Sequence, residues 1–353
     1  MSAMNQPQQT IVVYTQTAWT RFWSWIGWFG CFVMGLTAFI LLMLLVAQGG
    51  LDDDTTNIDE KYVQGDKDAD DKVAVISIEG VIMEGDGFVK QQIDKVRKDK
   101  DVKAVVVRVD SPGGTVTGSD YILHHLSKLR KERSLPMVVS MGGMAASGGY
   151  YVSMAVGDQP DSIFAEPTCS TGSIGVIIPH YDVSGLMARF DVKDDSIATH
   201  ERKQMLSPTR PMSEEHRKLI QEHINHMFVR FKDIIKEGRP AFKDDEAALD
   251  KLATGEIFTS QQALDNKLID KIGFIEDAID RALEMASLNK NKTLVVSYKR
   301  PATLLGELGG YAQTPVGSGA AGPTLGQFLE LTAPRAWYLS TSLPAIVTAR
   351  RAD

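Results

Sequence analysis

From Phe22 to Val46 the chain runs for 25 residues without a charged side chain. At 1.5 Å of rise per residue, a helix of that length crosses a hydrocarbon layer ~30 Å thick with some tilt to spare. The run exceeds the ~7–15 apolar residues of a cleavable signal segment, and a buried core helix this long would carry more polar punctuation. It reads as a transmembrane anchor over 22–46. Trp19, Trp23, Trp25 and Trp28 crowd its beginning, where indole rings suit the boundary between water and lipid. Residues 1–21 carry Arg21 and no acid. The positive-inside bias therefore places that short segment in the cytoplasm and the main body outside it, in a single-pass protein of the cell membrane.

Beyond the anchor, residues 51–72 hold nine acidic side chains against three lysines. Residues 47–72 are accordingly expected to be a solvated acidic tether. Most of the formal charge of −7 is concentrated there, so the body is near neutral. It offers no broad basic face to a phosphate backbone, which excludes nucleic acid as the main partner. The 353 residues suffice to bury a substantial core. Of two cysteines, Cys31 lies in the apolar run and Cys169 in the body, which gives no basis for an intrachain bridge.

Val73–Ile78, Lys103–Val109 and Met137–Met141 are apolar, largely β-branched runs, and a helical pattern from about Gly118 to Arg133 separates the last two. Ile163–Ala165 and Ile174–Ile178 are further strand candidates. Their continuous apolar character fits an α/β fold whose sheet is covered on both faces. Ser213 is placed to cap a long helix carrying Leu219, Ile224, Phe228, Phe231 and Ile235 on one stripe up to Gly238. Thr259 and Gln262 form a capping-box pattern, and Gly273 precedes another helix at about Ile275–Ala286. One α/β domain is thus expected over 73–300. Residues 309–323 are linker-like, and the remainder of the segment 301–353 includes an apolar tail, with Trp337, Tyr338 and Leu339, able to dock on the body, another subunit or the membrane.

The chemistry centres on MGGMAASGGY at 141–150, a strand end followed by small residues around Ser147 and then a helical pattern. A serine at such a turn is either an exposed nucleophile near orphan backbone N–H groups or an ordinary N-cap in a tightly packed turn. A second glycine pair follows the strand at 103–109, in DSPGG at 110–114. It is either a tight turn or, through Gly114 N–H together with Gly148 N–H, an oxyanion hole. The elbow pattern G-x-S-x-G is missing its first glycine, because Ala145 stands there. A base for Ser147 must come from a histidine or a lysine. His124, His125, His216, His223 and His226 fall on helical patterns as solvated or packed residues. His223 and His226 suggest no third metal ligand, and Ser287 with Lys290 lacks companion motifs.

Taken together, VDSPGG at 109–114, MAASGGYY at 144–151, TGSIGV at 171–176, Lys203 followed by Ser207-Pro208, Arg210 and Met212-Ser213, and GEIFTSQQALDNKLIDKIG at 255–273 resemble the signal peptide peptidase A family of bacterial membrane-anchored serine peptidases. The similarity runs in order over about 73–290. It implies a crotonase-like, Clp-protease-like α/β domain and a Ser/Lys dyad, with Ser147 as nucleophile, Lys203 as general base and Ser173 as the hydroxyl that hydrogen-bonds the lysine. No metal or organic cofactor is implied. A lysine with its ordinary pKa of ~10.4 is a poor base near neutrality, but desolvation or neighbouring positive charge corrects that.

Two departures stand out: a loop longer by about four residues near Gly157–Pro160, and Glu201-Arg202 directly before Lys203, where a carboxylate would oppose base function and a guanidinium would favour it. The family's substrates are apolar signal peptides left in the bilayer, consistent with the anchor. Its short members share serine and lysine between neighbouring protomers of a ring, so a homo-oligomer is implied here, with an octamer among the sizes. The rival readings are a related membrane peptidase with other substrates, a catalytically silent membrane scaffold, and an acyl-thioester enzyme on the same fold.

Overall fold

A computed structural model describes residues 18–50, 58–299 and 336–339, with the side chains of the first stretch described at Trp19 and 25–40. The chain divides into two units near residue 55. The first holds helix α1 (Ala18–Gly50), whose described side chains, Trp25, Trp28, Phe29 and Phe32 among them, are exposed. Among the described residues no helix is long and apolar enough to cross a membrane. Within the expected anchor at 22–46, side chains are described at 25–40.

The second unit is a mixed α/β domain. It opens with β1 (Glu60–Gly65), β2 (Lys72–Glu79), α2 (Phe88–Lys98), β3 (Val102–Ser111), β4 (Gly113–Thr115), α3 (Val116–Arg133), β5 (Met137–Ala146) and the short α4 (Gly148–Ser153). β6 (Ile163–Ala165), β7 (Ser170–Gly172), α5 (Ser184–Arg189), α6 (Glu214–Gly238), α7 (Glu246–Leu252) and β8 (Ile257–Thr259) follow. The last elements are α8 (Ser260–Asp265), β9 (Lys271–Ile272), α9 (Ile275–Met285), β10 (Leu294–Tyr298) and β11 (Trp337–Leu339). The main sheet runs β1-β10-β2-β3-β5-β6-β9, with β7 paired to β5 and β8 to β7. All the pairs from β10 to β9 are parallel.

Alternation along the central strands serves two cores. Ile76, Ile78, Val105, Val107, Val139 and Met141 face Ile93 of α2 and Ile122, Leu126 and Leu129 of α3. Their neighbours Val73, Val75, Ala104, Val106 and Val138 face Ala278, Ile279, Ala282 and Leu283 of α9. Covering both faces is why these strands carry unbroken apolar sequence. Where β10 stops short beside β2, the buried Gln92 amide serves the strand, accepting from Ser77 N–H at 2.9 Å and donating to Ser77 C=O at 3.0 Å.

The expected strands and helices appear within a few residues, and both caps form: Ser213 accepts from His216 N–H, and Thr259 and Gln262 make the reciprocal box. Two expectations need correction. The tether at 47–72 is not solvated throughout, because α1 extends to Gly50, Ile58 is buried and β1 pairs antiparallel with β10; residues 51–57 lie outside the described set. Charge misleads there, since an edge strand keeps charged side chains toward water. Lys72, counted as solvated, sits between Glu60 at 3.2 Å and Asp99 at 3.1 Å. The run 174–178 is not a strand of the main sheet. Its single bridge joins Ile177 to Trp337 of β11.

Candidate active site

β5 and β7 lie side by side and end together, with Ala146 in register with Gly172. The next residue on each is a serine in the left-handed region, Ser147 at φ 55° and Ser173 at φ 51°. Non-glycine residues there are strained and persist only when the surroundings hold them. Here Ser147 N–H donates to Gly172 C=O at 2.7 Å, Tyr151 N–H donates to Ser147 C=O at 2.8 Å, and Ser173 N–H donates to Glu256 C=O at 2.6 Å. The strand-to-helix turn expected at Ser147 is therefore present without the first elbow glycine. Both serines are largely buried and line one cavity of about 630 Å³, whose walls include Ile174, Val176, Ile224 and Phe228.

The glycine turns meet beside Ser147. Gly113, at φ 102°, kinks the chain between β3 and β4, and Ser111 fastens that turn by donating from Oγ to Gly80 C=O at 2.6 Å and accepting from Gly113 N–H at 3.1 Å. β4 then binds residue 82 on one edge, through Ile82 N–H to Gly113 C=O at 2.8 Å and Thr115 N–H to Ile82 C=O at 2.7 Å. A Cβ on Gly148 would stand 2.5 Å from Ser119 Oγ and 3.1 Å from Gly114 N. A side chain at 148 would therefore press on Ser119 and on the turn that carries Gly114, the other residue assigned to the oxyanion hole.

Lys203 is not brought to this cavity. It lies exposed in a single 3₁₀ turn at Glu201–Gln204, on the stretch between Ser173 and α6, and does not line the space shared by the two serines. Arg202 reaches α6 instead, its guanidinium donating to Glu215 at 2.6 Å and holding that carboxyl below its ordinary range. Glu201 is exposed. Farther along, Asp194 accepts from Ser196 N–H at 2.9 Å, Thr209 Oγ1 at 2.6 Å and Arg210 Nε at 2.8 Å, which keep its carboxyl well below the usual range. Thr209 and Arg210, in the motif region after Lys203, thus pin the loop that carries the lysine.

The described histidines stay off the site. Among the described residues no group of three His, Cys, Asp or Glu side chains is gathered for a metal ion. Of the three partners open to the apolar tail, Trp337–Leu339 meets the body, as β11 along β4 next to Gly114; its strand form had no signal in the sequence beyond its apolar character.

Residues 129–289, which include Ser147, Ser173 and Lys203, match the profile of peptidase family S49. The chain carries an S49 peptidase domain. The chain is 39% identical over 173 residues to an Enterococcus faecium protein named after signal peptide peptidase SppA, covering 48% of this chain and 46% of that one. It is 35% identical over 155 residues to protease 4 of Salmonella typhi, covering 44% and 24%. With the chloroplastic serine protease SPPA of Arabidopsis thaliana it shares 30% over 177 residues, covering 49% and 25%. The match thus spans about half the length of the first relative and a quarter of the other two. The resemblance to the signal peptide peptidase A family drawn from the motifs holds for this S49 domain.

Proposed function

We propose that this chain is a membrane-anchored serine endopeptidase that cuts apolar, membrane-derived peptides, released signal peptides among them, through an acyl-enzyme at Ser147. The observation that carries the reading is the pair of in-register strand ends that deliver Ser147 and Ser173, both in left-handed backbone, to one largely apolar cavity. Strain of this kind is characteristic of functional turns. The mixed, parallel-rich sheet fits a Clp-like fold.

In the reaction, Ser147 Oγ attacks the peptide carbonyl while its proton passes to the neutral amine of Lys203. Gly114 N–H and Gly148 N–H receive the developing oxyanion. Lysine returns the proton to the departing amine, and water then releases the acyl group. Ser173 orients the amine. No cofactor takes part.

Lys203 comes from a neighbouring copy in a homo-oligomeric ring. Three facts support this: the lysine is exposed, it does not line the cavity of its own chain, and its arm bears exposed Leu186, Phe190, Val192 and Ile197. An apolar surface of this kind marks an interaction site. The half-buried stripe of α6 at Leu219, Ile220, Ile224 and Phe228 adds to it. Anchoring through 22–46, with the domain extracytoplasmic, rests on the charge-free run and on the exposed apolar side chains of α1.

The test is reaction of the full chain with a serine-directed fluorophosphonate, with peptide mapping of the adduct. Labelling at Ser147, and its loss with peptide cleavage in Ser147→Ala, is expected. An unlabelled, correctly folded oligomer would make the chain a scaffold.

A further inference from the structure

The stretch between β7 and α6 is fastened to itself by its own polar groups. At its base Val183 N–H donates to Pro208 C=O at 2.8 Å, and His180 Nε2 lies 3.2 Å from Ser207 C=O. Midway, Asp194 accepts from Ser196 N–H at 2.9 Å and from Thr209 Oγ1 at 2.6 Å, and Thr209 Oγ1 lies within 2.6 Å of Ser207 Oγ. The Asp194 side chain is only 10% exposed, although the segment lies at the surface.

Arg210 ties these groups to the lysine. Its guanidinium donates from Nε to Asp194 Oδ2 at 2.8 Å, from Nη2 to the carbonyls of Asp194 at 3.3 Å and Ser196 at 3.4 Å, and from Nη1 to Gln204 Oε1 at 2.6 Å. Gln204 directly follows Lys203 in the 3₁₀ turn, whose start is capped by His200 Nδ1 accepting from Arg202 N–H at 3.1 Å. A planar guanidinium holds its donors in fixed directions, so this one side chain sets the distance from the lysine's turn to Asp194. Another tie, Arg202 to Glu215 of α6, joins two side chains that are each more than half exposed, the class of ion pair that adds least. The apolar side chains Phe190 and Ile197 of the same stretch are exposed, so their burial does not give it shape.

We propose that Arg210, clasped to Asp194 and Gln204, is a positioning residue that holds the Lys203 turn in its working shape before the lysine enters the cavity of the neighbouring copy. The proposal rests on Lys203 being the general base and adds what aims it. A lysine on an unfastened loop would have to order that loop on each approach to Ser147, and preorganisation removes that cost. Displacing a reacting group by about 1 Å from a remote position lowers a rate by up to ~100-fold.

Three measurements on the full-length chain test this. With a fluorogenic apolar peptide, Arg210→Met should lower kcat about tenfold while KM and the pH of half-maximal rate stay unchanged, and Arg210→Lys, which keeps the charge but not the fork, should fall with it. Wild-type kcat in Arg210→Met would overturn the proposal, and so would rescue by Arg210→Lys, because charge rather than geometry would then be at work. In the second, Arg210→Met is added to one member of a reassembled pair, either Ser147→Ala, which donates the lysine, or Lys203→Ala, which donates the serine. The restored activity should fall about tenfold with the substitution on the lysine donor and hold with it on the serine donor. Equal losses from both would mean general damage to the fold and overturn the proposal. The third needs no turnover: the amides of Lys203 and Ser207, which donate to His200 C=O and Gln204 C=O, each at 3.0 Å, should exchange hydrogen about tenfold faster in Arg210→Met. Unchanged exchange would overturn the clasp. A pair that restored no activity even without Arg210→Met would strike at the shared site instead, with kcat and exchange in the single variant still deciding on Arg210.

Discussion

Ser147 N–H is hydrogen-bonded to the carbonyl of Gly172 at 2.7 Å, so the turn bearing one serine is fastened to the residue that precedes the other. The strained conformations at 147 and 173 are thereby held together, and a substitution at either position must be judged against that backbone.

Ser147→Ala should abolish cleavage and labelling while keeping the strain of φ 55°. Ser147→Gly should be equally inactive but more stable than Ser147→Ala by up to about 1 kcal/mol, since glycine adopts positive φ freely. Thermal unfolding of the two variants beside peptide cleavage checks this. Ser147→Gly less stable than Ser147→Ala would mean that the turn is not strained.

Gly148→Ala tests the contact between the glycine turns. Its new methyl would lie 2.5 Å from the Oγ of buried Ser119, which donates to Thr115 C=O at 2.9 Å next to β4. A loss of about 1–3 kcal/mol in stability is expected, with kcat lowered ~100-fold or more as an oxyanion donor shifts. Adding Ser119→Ala should recover part of the stability. Denaturant unfolding of the single and double variants measures that coupling, and additivity would count against the contact.

Lys203→Ala and Ser147→Ala should each be inactive alone and partly active after being dissociated and reassembled together. Some interfaces then join an intact Ser147 to an intact Lys203 from different copies. A site completed within one chain could not be rescued this way. The assay is turnover of a fluorogenic apolar peptide by mixed oligomers of verified size. No gain over the separate variants would sink the shared site.

Burial pushes the Cys169 thiol up to about 12, against an ordinary value near 9. The folded state thus favours the neutral thiol, a preference present in full below the unfolded value and lost as pH rises toward 12. The native chain at pH 8 should leave Cys169 unalkylated, and unfolding should expose it. Mass spectrometry after iodoacetamide treatment, with and without denaturant, reads the difference. Rapid native alkylation of Cys169 would contradict the packing around β5 and β7.

The strands that form the two-faced core were legible because continuous apolar runs have few other uses, and the caps at Ser213 and Thr259 because capping is decided within four residues. Ser147 was legible as a turn of small residues, but its backbone strain was not, since φ 55° is imposed by the bond to Gly172 from a neighbouring strand. β1 was hidden by its charges, which an edge strand tolerates and a charge count assigns to solvent.

Local order and motif chemistry were therefore determined by the sequence itself: the apolar run at 22–46, the alternation of strands and helices, and the serines and glycines placed at strand ends. Tertiary structure alone decided which of those motifs meet. It brought Ser147, Ser173, Gly114 and Gly148 together, left Lys203 exposed on a separate arm, and laid Trp337–Leu339 beside Gly114 from more than 200 residues away. Strand pairing at such separation depends on which backbone edges the packed core leaves open, and no short stretch of sequence records that.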